Sequence, residues 1–258
     1  GTLDGVARAG EDAAVEQQVA EPQREQPRAA GSQHRDEAWV IVKRTIDGAT
    51  FRSIEVFEAP FEGPNRAAYD DAAACDAAVL TRQRQAFYVD CGLSYDGAPT
   101  ETLTGLDHLE GETVAVLADG AVHPDRIVSG GVIDLQAPAS SVHVGLPYRH
   151  VFTSLKLDAG TVAGTAIGKV KRVHSVVLVL LHSLGLRIGP SLAQLEEVPL
   201  RDVSDAMDSA VPLFTGECHV SFEGDFARDA RIVIAGSAPL PFTLLAVAPE
   251  LKTSELLC

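Results

Sequence analysis

Gly164-Thr165-Ala166-Ile167-Gly168-Lys169 brings two glycines and a lysine together in the manner of a phosphate-cradling loop. Such a loop needs its glycines about five positions apart, the second followed directly by lysine, and a Ser or Thr hydroxyl after the lysine to hold magnesium. Here the glycines stand four apart and Val170 follows the lysine, so the run reads as a permissive backbone segment and no nucleotide site is expected. Gly92-Leu93-Ser94-Tyr95-Asp96-Gly97 resembles a nucleophile elbow only loosely. Its second glycine comes one residue too late, and no strand-to-helix step follows it. The eight histidines show neither the i, i+4 helical pair nor the clustered His/Cys spacing of a zinc site, and no calcium-loop pattern occurs. With acids spread along the chain, no carboxylate pair stands out for glycosidase chemistry. No catalytic residue, metal ligand or cofactor site is therefore expected.

Two charge clusters remain. Between Leu93 and Pro147 there are eight acids against one base, Arg126; Asp107, Glu110, Glu112 and Asp119 are the candidates for a functional acidic surface. Lys169, Lys171 and Arg172 form the densest basic cluster. If they lie on a strand, Lys169 and Lys171 point the same way and could contact phosphate or form ion pairs between subunits. The commoner use of either cluster is a solvated surface. The whole chain has 258 residues and a formal charge of −15, which disfavours broad capture of nucleic acid. Its longest apolar run, Val176 to Leu181, falls far short of the ~20 residues that span a bilayer, so no membrane insertion is expected. Four dispersed cysteines without a CxxC pair suit reduced thiols, and Cys91 reads as a small core residue.

The elements that must position these groups are mostly strands. Residues 1–35 hold no aromatic residue and no isoleucine, and read as a polar tail or appended segment. Trp39 to Ile46, the turn Asp47-Gly48 and Thr50 to Phe57 read as a two-residue β-hairpin. Asn65 to Ala86 reads as an Ala-rich outer helix capped by Asn65. Asp96-Gly97, Glu110-Gly111, Asp119-Gly120 and Gly130-Gly131 then punctuate short β runs. Val176 to Leu181, apolar on both faces, reads as a central strand covered on both sides. The expected fold is mainly β. A β-sandwich or barrel host domain (residues 36–92 with 148–258) would carry an inserted small antiparallel acidic β module (93–147) and one short helix.

FYVDCGLSYDGAP (Phe87 to Pro99), GLDHLEGETVAVLADGAVHPDR (Gly105 to Arg126), SGGVIDLQAPASSVHVGLPY (Ser129 to Tyr148), LFTGE (Leu213 to Glu217) and PLPFTLLAVAPE (Pro239 to Glu250) carry a resemblance. Over residues 37 to 258 the chain resembles the C-terminal portion of the tail tubular protein B, or nozzle, family of podovirus tails and related prophages. Residues 1–36 do not resemble that family, whose members carry a long further N-terminal region, so the chain reads as a fragment, a prophage remnant or a product with an altered start. The resemblance implies a non-enzymatic virion component forming a ring, a hexamer, around the DNA exit channel. It would adjoin an adaptor and tail fibres and let viral DNA pass, residing in the virion tail and, before assembly, in the host cytoplasm. A basic channel wall would bind the passing phosphate backbone, whereas an acidic one would not. The alternative is a host-surface or carbohydrate-binding β module at the tail tip, which would need exposed aromatic side chains.

Overall fold

The structure, a computed structural model, describes residues 4–8, 38–58, 61–64, 71–158, 160–161, 164–165, 167–203, 205, 207 and 209–254. It is mainly β, built of several antiparallel sheets with a single short helix. The chain divides into two compact units, residues 1–62 with 87–148 and residues 63–86 with 149–258.

The first unit is one seven-stranded sheet. Its strands are β1 (Asp4–Arg8), β2 (Trp39–Ile46), β3 (Ala49–Val56), β4 (Asp90–Thr104), β5 (Thr113–Ala118), β6 (Ala121–Ile127) and β7 (Val132–Leu146), in the order β2-β3-β1-β4-β7-β5-β6. Strand β1 runs parallel to β3 and every other neighbouring pair is antiparallel. Two-residue turns close two of the hairpins. Asp47 and Gly48 have φ of 45° and 73°, and Asp119 and Gly120 have 48° and 83°. These are the paired positive φ values of a type I′ turn, whose twist matches the strands it joins.

The Asp96-Gly97 signal behaves differently from the turn expected there. Strand β4 runs straight through it, and the β4–β7 register shifts between Asp96 and Thr100 and again before Thr102. The Asp96–Pro99 run is absorbed as a bulge, which inserts unpaired residues and bends a strand without ending it. The Tyr95 hydroxyl donates to the Ala98 carbonyl across it at 2.7 Å. On β7 the side chains in the core are Ile133, Leu135 and Ala139 before the shift and Val142 and Val144 after it, so the core-facing parity changes there. Leu106 and Leu109, on the connector that includes the 3-10 turn Asp107–Leu109, join these side chains and Ile46 in one core.

The second unit holds α1 (Ala72–Arg84), β8 (His150–Thr153), β9 (Gly160–Thr161), β10 (Gly164–Thr165), β11 (Val170–Ser183), β12 (Leu186–Ser191), β13 (Gln194–Glu197), β14 (Phe214–Ser221), β15 (Val233–Gly236) and β16 (Leu244–Ser254). Two sheets, β14-β11-β16 and β13-β12-β15-β8, share one core that packs Val176, Leu178 and Leu180 with Leu186, Ile188 and Ile234. That is a β-sandwich, in which one face of each sheet is apolar and meets the other. The helix is shorter than expected, and Asn65 lies outside the described residues. Nor is α1 simply external. Cys75, Val79 and Gln83, four apart, are buried, and Gln83 Nε2 donates to the Val211 carbonyl at 2.8 Å. Among the described residues no helix is long and apolar enough to cross a membrane.

Two expectations need correction. The hairpin β2–β3 was placed with the host domain, but it belongs to the sheet of the acidic module, where Val42 and Ile46 are buried; residues 63–86 go with the sandwich. Strand β11 is central in its sheet, yet its two faces are unequal. Val176, Leu178 and Leu180 are fully covered, whereas Val177 and Val179 are half-buried and Leu181 is exposed. Having a strand on either side satisfies the β11 backbone without covering the outward side chains. Truncation on the two faces should therefore differ. Leu178→Ala should cost about 2–5 kcal/mol, the range for a cavity in a closed core, and Val179→Ala only about 1 kcal/mol. Urea unfolding of the two variants measures both, and equal losses would refute the asymmetry.

Candidate functional site

The four candidate acids divide between two ends of the first unit. Asp107, Glu110 and Glu112 lie near the start of β5, and Asp119 follows its end, a separation of roughly 20 Å at strand rise. Three of the four hold backbone in place. The Glu110 carboxylate accepts the Gly130 and Gly131 N–H groups at 2.9 and 2.8 Å, bracing a turn whose glycines have φ of 62° and 68°. These donors, Gly131 first, lower the Glu110 pKa. Asp119 accepts the Ser141 and Ser140 N–H groups, each at 3.2 Å, while its own N–H donates to the Ser141 carbonyl at 2.7 Å. Glu112 accepts the Asp47 N–H at 3.3 Å and so ties the β2–β3 turn to the module. Asp107 is exposed and packs where a side chain on Gly131 would stand.

The basic cluster is also split. Lys171 is fully buried; its ammonium donates to the Leu157 carbonyl at 2.8 Å and the Asp158 carboxylate at 2.5 Å. It cannot reach phosphate or another subunit, contrary to the alternation argument. Lys169 precedes β11 and is half-exposed, while Arg172 is exposed opposite Lys252 of β16. The exposed bases at this place are thus Arg172 and Lys252. Lys252 was not visible as a neighbour because it is eighty residues away in sequence. The glycine run before Lys169 falls partly on β9 and β10, which pair as a short antiparallel ladder, and partly outside the described residues.

Two further constellations emerge from the pairing. Arg44 Nη2 donates to Glu55 Oε2 and to Asp90 Oδ1, both at 2.8 Å, and Ser53 Oγ donates to the other oxygen of Glu55. Glu55 is fully buried. Burial alone would pull the Arg44 pKa down, but the bond to Glu55 and the charge of Asp90 outweigh it and the value rises. Cys91, beside this group, has φ 48°, and its N–H donates to Asp90 Oδ1 at 3.0 Å. Its thiol is pushed up to about 12, chiefly by burial and then by Glu55, so it stays protonated and poorly nucleophilic at neutral pH. The second constellation is Ser94 Oγ against His143 Nδ1 at 2.7 Å, directly cross-strand between β4 and β7, with the edge of Phe87 on the imidazole. The weakly matching elbow thus acquires a histidine, but within a continuous ladder where the hydrogen bond orients a buried ring.

Among the described residues no group of three or more His, Cys, Asp and Glu side chains is arranged to hold a metal ion. A recess of about 280 Å³ beside the β12–β13 hairpin, walled by Gly189, Pro190, Gln194 and Phe222, brings together none of the residues singled out from sequence. No protein-family model matches the chain, and no curated protein matches it.

Two outcomes follow from these contacts. Arg44→Met leaves the Glu55 carboxylate buried without its cation and should cost about 3–5 kcal/mol. Adding Glu55→Gln should recover part of that loss in urea unfolding, whereas purely additive losses would show that the two groups are not coupled. Glu110 should show the sign expected of a depressed carboxylate. Its contribution to stability is present above the unfolded value of 4.5 and is lost as pH falls through the lower folded value. Glu110→Gln should therefore lower the urea midpoint at pH 6, and the gap from wild type should close as the pH is taken well below 4.5. A gap independent of pH would refute the role of its charge.

Proposed function

We propose that this protein is a non-enzymatic structural component of a phage or prophage-derived tail, forming part of a ring or nozzle around the DNA exit channel. The observation that carries the reading is the resemblance of Phe87–Pro99, Gly105–Arg126 and Ser129–Tyr148 to the tail nozzle family. These three blocks form the β4–β7 sheet almost without interruption. A continuous sheet with its turns pinned by Glu110, Glu112 and Asp119 supports a part whose task is to keep its shape. The acidic surface supports a wall along which DNA slides, since fixed negative charge gives phosphate nothing to bind.

A tail-tip module that binds host glycans is the second reading, favoured by exposed Trp39, Phe51 and Phe57. It is the weaker one. In the β2–β3 register Trp39 stands opposite Val56, while Phe51 stands opposite Arg44 on the other face, so these rings do not make one platform.

Size-exclusion chromatography with light scattering, followed by negative-stain imaging, should find closed rings, and duplex DNA should not be retained at physiological salt. Protein that stays monomeric at high concentration and also fails to enter tails made by a complete phage would overturn the ring. Tight DNA binding at that salt would overturn the repulsive wall.

A further inference from the structure

Among the described residues, the large apolar side chains that the first unit exposes lie in two places. Trp39 and Ile54 share one face of the β2–β3 hairpin, with Phe51 on the other face and Phe57 just past β3, and Val122 and Ile127 belong to β6. In the strand order these are the opposite edges of the sheet. Apolar surface gathered into patches on a soluble domain marks contact surfaces, whereas apolar residues scattered singly need no explanation.

The two patches also differ in charge. The hairpin register places Trp39 with Val56, Ile41 with Ile54 and Lys43 with Arg52 on a common face. Within the paired residues of the hairpin, the charges on that face are two exposed bases, in a chain of net charge −15. The β5–β6 register puts Val122 opposite Leu117 and Ile127 opposite Thr113, hence on one side of the sheet, with the exposed acid Asp125 between them. Arg126, the base on that strand, turns its Nε–H back to the Asp134 carbonyl at 2.8 Å. One edge is therefore apolar and basic, and the other is apolar and acidic.

We propose that the outer face of the β2–β3 hairpin docks on strand β6 of a second copy of this chain, head to tail. Tryptophan and isoleucine of the hairpin cover Val122 and Ile127, and Lys43 and Arg52 meet Asp125. The copies meet face to face: Pro124 removes a backbone donor from β6, and prolines and lysines on edge strands discourage edge pairing. Because the two patches differ, each docked copy keeps one of each kind open, and such heterologous contacts propagate until the rotation closes them. The contact stands on the two patches alone; its closure into a ring rests on the reading given above. An eight-residue strand pair offers a strip roughly 26 Å long and about 10 Å wide, well under the roughly 800 Å² per partner of a standard stable interface. Assembly should therefore depend on concentration and gain from closure.

The test uses the full chain in three forms: wild type, Lys43→Glu with Arg52→Glu, and Asp125→Lys. All three substitutions are on exposed side chains, and thermal melting checks that the fold is kept. In sedimentation velocity the wild type should associate, and each variant alone should need at least ten times the concentration. An equimolar mixture of the two variants should regain association, because the reversed charges then face each other. Trp39 is the only tryptophan, so its emission should shift to the blue as the wild type is concentrated; this reading holds even if a variant melts early. Wild type that associates while both variants behave like it would overturn this surface and leave the ring reading standing. An effect of the hairpin variant alone, with Asp125→Lys inert, would mean a symmetric hairpin-to-hairpin contact and would also overturn the proposal. A wild type that is monomeric throughout, with no emission shift, would overturn the contact, whereas failure to enter phage tails bears on the ring reading only.

Discussion

One guanidinium holds three separate pieces of chain in register. Arg44 of β2 reaches Glu55 of β3, eleven residues on, and Asp90 at the start of β4, forty-six residues on. Glu55 has no water to turn to, so its charge is tolerable only while Arg44 and Ser53 supply donors. Because β1 lies between β3 and β4 in the sheet, the side-chain network links strands that do not share a backbone ladder. Where β4 begins, Asp90 also fixes the Cys91 N–H, and this holds Cys91 in the left-handed conformation that a non-glycine residue adopts only under constraint. The direction of the hairpin and the entry into β4 both depend on this shared cation, while burial and Glu55 keep the Cys91 thiol protonated against its pull.

Negative charge in the acidic module works in the same local way. Glu110, Glu112 and Asp119 each bring acceptors to backbone N–H groups at places where strands turn and the ladder ends. A buried or turning N–H without an acceptor is costly, and a carboxylate is the strongest acceptor a side chain offers. An excess of acids is thus compatible with a stiff module, since part of the charge is neutralised by oriented dipoles and not by bases. In the sandwich the reverse pairing occurs: the Lys171 ammonium is sequestered by a carbonyl and one aspartate.

Features set by neighbouring residues were legible in the sequence. The Asp47-Gly48 and Asp119-Gly120 turns could be read because positive φ at two successive positions is a local demand that few dipeptides meet. The β-rich class and the single helix followed from periodicity in the same way. Features set by distant partners were not. Nothing near Asp96 tells a turn from a bulge; the difference lies in β7, which continues past it. The domain boundary was misplaced because the hairpin's allegiance is decided by Asp90 and by a core that takes in Ile46. Lys171 looked like surface because alternation gives the direction of a side chain but not what lies there, and Asp158 is thirteen residues upstream. Ser94 and His143, forty-nine residues apart, meet only through strand register.

The two aspartyl-glycine turns also set how this protein ages. Glycine after aspartate offers the least steric obstacle to attack of the backbone nitrogen on the side-chain carboxyl, the step that forms a cyclic imide and then isoaspartate. At Asp119 both carboxylate oxygens are held by Ser140 and Ser141, which keeps the group out of line for that attack. At Asp47 the side chain is exposed, and its tether to the acidic module is made by its own N–H to Glu112, which leaves the carboxyl unrestrained by that bond. Isomerisation there inserts a methylene into the main chain between Ile46 and Ala49, two residues whose pairing sets the register of the whole hairpin. Of the two turns, the hairpin tip is therefore the more open to such damage, which would displace the side chains along that hairpin, while the carboxylate of the turn in the acidic module is held out of reach.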